Sequence, residues 1–224
     1  MAEDAAAIDG AVPHLQFPFM HPLVAAFGVL LFVPTAAAAG QVHVNVDVGV
    51  LLSTRLVRDS IVAPLSVTPD PALTAGARVT TDLEGAWRMG VLGRVGRSDL
   101  EVREADTDTS LTTLTVWHLG ALLSRHFTDR ASADVTIGIL FYRPSLRRAN
   151  LFQGGEPRPL VWGVGVQYEH PVSRRIWAGL RLGYDGHRFG TETLRANGFR
   201  DKRFVHRVFI GVTLGWHGEA PEQP

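Results

Sequence analysis

Cysteine is absent from all 224 residues, which excludes a disulfide framework, a thiolate metal site, a cysteine nucleophile and lipidation at a cysteine. An excess of charge of either sign is also missing. The 22 Lys and Arg are matched by 22 Asp and Glu, so nothing argues for a nucleic-acid partner, which would favour a basic surplus or stripe. Helical periodicity is scarce after residue 40. Glycine, at 23 residues, and β-branched aliphatics are abundant in its place.

A single long apolar stretch, Leu23 to Ala39 (LVAAFGVLLFVPTAAAA), ends in small residues Ala37 and Ala39 ahead of Gly40. This is the pattern of a secretory h-region followed by an A-x-A cleavage site. Residues 1–40 are therefore expected to be a signal peptide region, with the mature chain beginning near Gln41. Glu3, Asp4 and Asp9 stand where basic residues would be usual, and a start at Met20 would give a leader of ordinary length. The competing reading is an uncleaved anchor. It is disfavoured because Gly28 and Pro34 interrupt a run of about 17 residues, where a span needs roughly 20.

From Gln41 onward the chain alternates with a period of two, the signature of strands with two chemically different faces. VHVNVDVGV places Val42, Val44, Val46, Val48 and Val50 opposite His43, Asn45, Asp47 and Gly49. The closing segment RVFIGVTLGW sets Val208, Ile210, Val212, Leu214 and Trp216 against Arg207, Phe209, Gly211, Thr213 and Gly215. Eight strands are expected near 42–54, 72–82, 86–97, 111–127, 133–143, 160–169, 175–187 and 204–216. Their connections alternate between tight turns and long polar or Pro/Gly-rich stretches at about 55–71, 98–110, 144–159 and 188–203. That rhythm, an even strand number and an apolar face are those of an all-β, eight-stranded antiparallel up-and-down transmembrane β-barrel. The barrel would span 41–216, leaving 217–224 as a short C-terminal tail.

A soluble barrel buries its apolar face and a membrane barrel turns that face outward. Glycines such as Gly49, Gly90, Gly120, Gly163, Gly165 and Gly179 stud the polar face, which suits a narrow lumen filled by long charged side chains. The lumen is expected to collect His43, Asp47, Arg78, Arg88, Arg94, His118, Glu169, Arg181, Asp185 and Arg207, paired as a plug because isolated buried ions are costly. Glu169, Asp185 and Asp47 would each bridge two arginines. On the apolar face, Trp87, Phe127, Tyr168 and Trp216 fall toward the turn side and Phe141, Trp162 and Tyr184 toward the loop side, as two interfacial girdles. Trp117, near mid-strand, and Trp177, of inward parity, fit this less well, and Leu92, Leu114, Val116 and Leu122 share the face assigned to the lumen.

With these residues and this rhythm the chain resembles the small eight-stranded outer-membrane barrels of the OmpA, OmpX and OmpW type. The resemblance is one of architecture and covers roughly 41–216. It implies an outer-membrane location after export, outer-membrane lipids as surroundings, and assembly by the outer-membrane insertion machinery. That machinery recognises a final strand with alternating apolar residues and a terminal aromatic, to which Val208–Trp216 is similar, although His217–Pro224 follow it.

The chemistry expected is non-enzymatic: a structural, adhesive or weakly porin-like role, with no cofactor and no metal. Ser124 and His126 share a face and have Asp134 or Glu169 for an acidic partner, as a Ser–His–carboxylate arrangement needs. Lipid A deacylases, however, carry a His-x-Ser-Asn signature that His126-Phe127-Thr128-Asp129 does not match. Nine histidines lack metal-ligand spacing. Among the loop arginines, the clusters at Arg147-Arg148 and Arg200 to Arg203 suggest lipid head groups or lipopolysaccharide phosphates. The apolar segment Ile61 to Val67 is suited to folding over the barrel mouth or to adhering to a partner. Two alternatives stay open: a secreted lipocalin-like binding barrel with an apolar lumen, and an outer-membrane lipid-modifying enzyme.

Overall fold

The computed structural model describes residues 41–59, 65–104, 107–145, 158–196 and 203–217. The leader at 1–40, the first part of the Ile61–Val67 segment, Arg147, Arg148, Arg200, Lys202 and the tail beyond His217 lie outside the described residues. So do the side chains of Arg58, Glu104, Asp108 and Arg195.

The strands are β1 (Val42–Ser53), β2 (Val57–Asp59), β3 (Leu65–Pro69), β4 (Ala72–Asp82), β5 (Trp87–Glu104), β6 (Thr107–His126), β7 (Ala131–Pro144), β8 (Leu160–Pro171), β9 (Ile176–Phe189) and β10 (Arg203–His217), with a short helix α1 (Glu192–Ala196) before β10. β1 pairs with both β4 and β10, and β5 pairs with β6. The ring β1-β4-β5-β6-β7-β8-β9-β10 is thereby closed, antiparallel throughout. Closure pairs the edge strands that an open sheet would leave exposed.

The tight turns are built by local chemistry. Gly85 takes a positive φ of 70° in the turn that returns Leu83 N–H to the Trp87 carbonyl at 2.8 Å, a conformation glycine adopts without steric cost. Thr128 Oγ1 accepts the Ala131 N–H at 3.0 Å and Ser173 Oγ accepts that of Ile176 at 3.2 Å. These are hydroxyl-stabilised turns of the Ser/Thr type.

Three of the stretches expected as loops contain regular structure. Residues 98–110 continue β5 to Glu104 and start β6 at Thr107, with a register irregularity at Leu100/Glu101. Leu100 and Leu114 point inward and are fully buried, so apolar packing carries the hairpin upward despite its charged outer face. Residues 55–71 hold β2 and β3. β3 extends β4 along the same neighbour, pairing with Leu100–Glu104 above the stretch of β5 that pairs with β4. The break falls at Pro69-Asp70-Pro71, where proline cannot supply a ladder N–H. Within 188–203 lies α1.

Side chains sort by level as well as by face. On the outer surface of β5, Trp87, Met89 and Val91 are exposed and apolar, while Arg97, Asp99, Glu101 and Arg103 are exposed and charged higher up. The inner surface does the reverse, running from Arg88 and Arg94 to Leu100 and Val102. One strand therefore inverts its polarity between Val95 and Arg97. The neighbours follow: the outward apolar run ends at Trp117 on β6, Phe141 on β7 and Tyr184 on β9, beyond which come Thr115, Arg143 and Arg188. Below that level aliphatics face outward, with Val48 53% and Ile210 56% exposed, and charge faces inward, with Asp47 2% and Arg207 3% exposed. A lipocalin-like arrangement would need the opposite order.

Candidate functional site

Three tiers fill the interior. Nearest the turns, Asp82 accepts from Arg88 Nε at 2.7 Å and bonds His43 Nε2 at 2.9 Å, and Asn45 Nδ2 donates to Glu169 at 2.7 Å. At the next level Arg78 forks onto Asp47, Nε to Oδ2 at 2.9 Å and Nη2 to Oδ1 at 3.0 Å, and also donates to Gln167. Arg181 forks onto Asp134 at 2.6 and 2.8 Å. Bidentate arginine–carboxylate pairs are the strongest of their kind and fix both partners in a plane. In the upper part of this second tier Asp185 receives Arg207 Nη2 at 2.9 Å and lies 3.5 Å from Arg94 Nη1. The Arg94 guanidinium also stacks 4.2 Å from the Phe209 ring centroid.

Glycines on β8 make room for this. A Cβ on Gly165 would lie 2.7 Å from Arg181 Nη2 and 2.9 Å from both Asp134 oxygens, and one on Gly163 would lie 2.5 Å from Asp185 Oδ1. The strand wall must be bare at these points for the ion pairs to close.

The ten residues assigned to the lumen from sequence all face inward, Arg88 the least buried of them. They do not form one network. Asp185 bridges two arginines; Asp47 makes its ion pair with Arg78, and Glu169 hydrogen-bonds Asn45 instead of an arginine. Asp134, Asp82, Gln167 and Asn45 complete the pairs, although sequence reasoning left them off the list. Asp134 shares inward parity with Thr136 and Gly138, a signal that was available. Asp82 is the last residue of β4, and its carboxylate closes the lower end through His43 and Arg88.

The third tier is apolar. Leu56, Val57, Val67, Leu100, Leu114, Leu140, Tyr142, Val161, Phe189 and Val205 form one buried cluster at the loop end. Tyr142 Oη bonds His187 Nε2 at 2.6 Å beneath it. Val67, the last residue of the apolar first-loop segment, is buried in this cap. The inward Leu92, Leu114 and Leu122, which sat poorly with a wholly polar lumen, are buried too.

On the outer surface Trp87, Phe127, Tyr168 and Trp216 stand exposed at the turn end. Arg125 reaches over Trp87 and Phe127, 5.4 and 6.0 Å from their ring centroids. At the loop end Trp162 contacts Tyr184 and Phe204, and Trp117 pairs in register with Phe141. Trp117 is thus at the upper boundary of the apolar belt; it looked central only because β6 continues well above that belt. Phe204 joins the same cluster, over Gly186, where a Cβ would meet its Cζ at 2.6 Å. Trp177 pairs with Gly215 and Pro171 at the turn end, on the inner side.

Ser124 is buried between Arg88 and Asp134 in register, but Asp134 is taken by Arg181 and Glu169 by Asn45. Neither carboxylate orients His126, and a nucleophile–base–acid chain is not assembled among the described residues. No group of three or more His, Asp or Glu side chains among them is placed to hold a metal ion.

What the fold defines is a small closed antiparallel barrel, apolar outside and charged within. No family model matches the chain, and no match is found among curated proteins. Solved structures with a similar chain path include the outer membrane protein OprG from Pseudomonas aeruginosa, at 15% identity over 80% of this chain and 97% of that one with a TM-score of 0.48. Neisserial surface protein A is similar at 11% identity over 78% and 96%, TM-score 0.49. Outer membrane protein AlkL, solved in lipid bilayers, is similar at 10% identity over 83% and 93%, TM-score 0.47. Likeness at this level bears on the fold alone.

Proposed function

We propose that this is a non-enzymatic outer-membrane barrel whose lower part is a sealed anchor and whose upper part is a water-facing β extension serving a structural or adhesive role. The observation that carries this is the inversion of polarity along β5. A strand exposing Trp87, Met89 and Val91 and then Arg97, Asp99, Glu101 and Arg103 suits hydrocarbon below and water above. On β8 the outward apolar residues run from Leu160 to Tyr168, a rise of about 27 Å along the strand and roughly 20 Å along the normal at the usual tilt, close to the apolar band of such barrels. In lipid a closed barrel satisfies every backbone group.

A sealed lumen is supported by the paired arginines and by the apolar cap. Eight strands enclose an interior that side chains can fill, and passage of a solute would require Arg94 and Arg207 to leave Asp185 and the cap to open. The test is refolding of purified protein into detergent. A β-type circular dichroism spectrum with a band that migrates faster unheated than boiled is expected, together with no unitary conductance in planar bilayers. Full solubility without detergent would overturn the reading, and stable single-channel steps would overturn the sealed lumen alone.

A further inference from the structure

Above the last β1–β4 pair, Leu51 with Ala72, the barrel wall parts. β1 continues to Ser53 along β10 only, whereas β3 follows the upward extension of β5. In the parting lies a groove of about 530 Å³ lined by Thr54, Arg55, Thr68, Arg203, Phe204 and His206 among others, within the roughly 300–1,000 Å³ typical of ligand sites. Its β1–β10 wall is fixed by a pair of bonds, Thr54 N–H to the His206 carbonyl at 2.9 Å and His206 N–H to Thr54 Oγ1 at 3.0 Å. His206 Nδ1 is held by Tyr184 Oη at 2.7 Å and its ring packs edge-on against Phe204. One side of the groove is therefore continuous with the upper aromatic girdle. The same wall carries both guanidinium groups, Arg55 just past β1 and Arg203 at the start of β10, while Thr68 of β3 lines the other side; neither Arg55 nor Arg203 has an acidic partner among the described residues.

We infer that this groove binds the phosphate of an anionic lipid in the outer leaflet, with Arg55 and Arg203 as its cationic ligands. Guanidinium forks match phosphate oxygens geometrically. Phe204 lines the groove and exposed Leu52 and Ile210 lie on the barrel face below it, where the acyl chains of a bound lipid would rest, and this favours a lipid-borne phosphate over a free one. The inference rests on the membrane reading above.

The full chain is refolded in phosphatidylcholine nanodiscs containing a minor share of phosphatidate, and the lipids it retains are identified by native mass spectrometry. Preferential retention of phosphatidate is expected. It should fall about tenfold in R55Q/R203Q, as two partly exposed charge contacts allow, and less in R55K/R203K. Arg55 is exposed, so R55Q alone serves if the double variant does not fold. Equal retention by wild type and the Gln variants overturns the inference, as does inorganic phosphate displacing phosphatidate at matching concentration, which marks a free-anion site. A wild-type chain that shows no heat-shifted band and does not enter nanodiscs overturns the membrane reading itself, a result separable from the other two.

Discussion

Asp134 and Arg181 make the tightest fork inside the barrel, and they illustrate what a buried ion pair does and does not contribute. Removing one partner strands a buried charge among Asp47, Gln167 and Gly165. Asp134→Ala is expected to cost about 3–5 kcal/mol, measured as the shift in reversible unfolding by guanidinium in detergent. The double variant Asp134→Leu with Arg181→Met should recover much of that loss, since a well-packed apolar pair avoids the desolvation penalty. A double variant that is as unstable as the sum of its singles would show that the pair is held for a reason other than mutual neutralisation. Gly165 belongs to the same unit: its missing side chain is what lets the fork close, so Gly165→Leu should destabilise to a similar degree by the same assay.

At the scale of the element, a strand that changes which face is apolar is two strands in sequence, one obeying the membrane rule and one the soluble rule. Ile137→Arg, at the middle of the outward face of β7, should cost about 2–4 kcal/mol because it places a cation in hydrocarbon. Asp99→Arg on the outward face of upper β5 should stay within about 0.5 kcal/mol. Comparable losses at both sites would remove the boundary. Leu100→Ala, in the cap, should cost about 2–5 kcal/mol through the cavity it leaves, and hydrogen exchange should locate that loss in the upper β5–β6 hairpin. Legibility from sequence follows the same division. The closed barrel and its inward charges were readable because alternation was strict over β1, β8, β9 and β10. The tops of β5 and β6 were not, since Ser98-Asp99-Leu100-Glu101-Val102-Arg103 alternates with its apolar members inward, and beside charged neighbours that pattern reads as a loop. Leu114 looked misplaced on the lumen face for the same reason, and it is buried in the cap, where apolar packing is the rule. Leu122 is buried lower down, paired in register with Gly90 and Thr136. Pairings across distant strands, such as Asn45 with Glu169, follow from barrel closure and have no local signal.

For the molecule as a whole, the three tiers suggest a division of labour between a rigid, neutralised anchor and an upper β extension that meets water. The absence of cysteine makes this directly measurable, because a single introduced thiol can carry a fluorophore without competition. Cysteines placed one at a time at Val91 and Asp99 of β5, labelled with an environment-sensitive dye and studied after refolding into bilayers, sample the outer belt and the region above the boundary. Quenching by brominated acyl chains at Val91 alone, with aqueous iodide reaching Asp99 alone, is the expected outcome. Iodide quenching at Val91 equal to that at Asp99, with no effect of brominated lipid, would contradict the assignment of the aliphatic face to hydrocarbon.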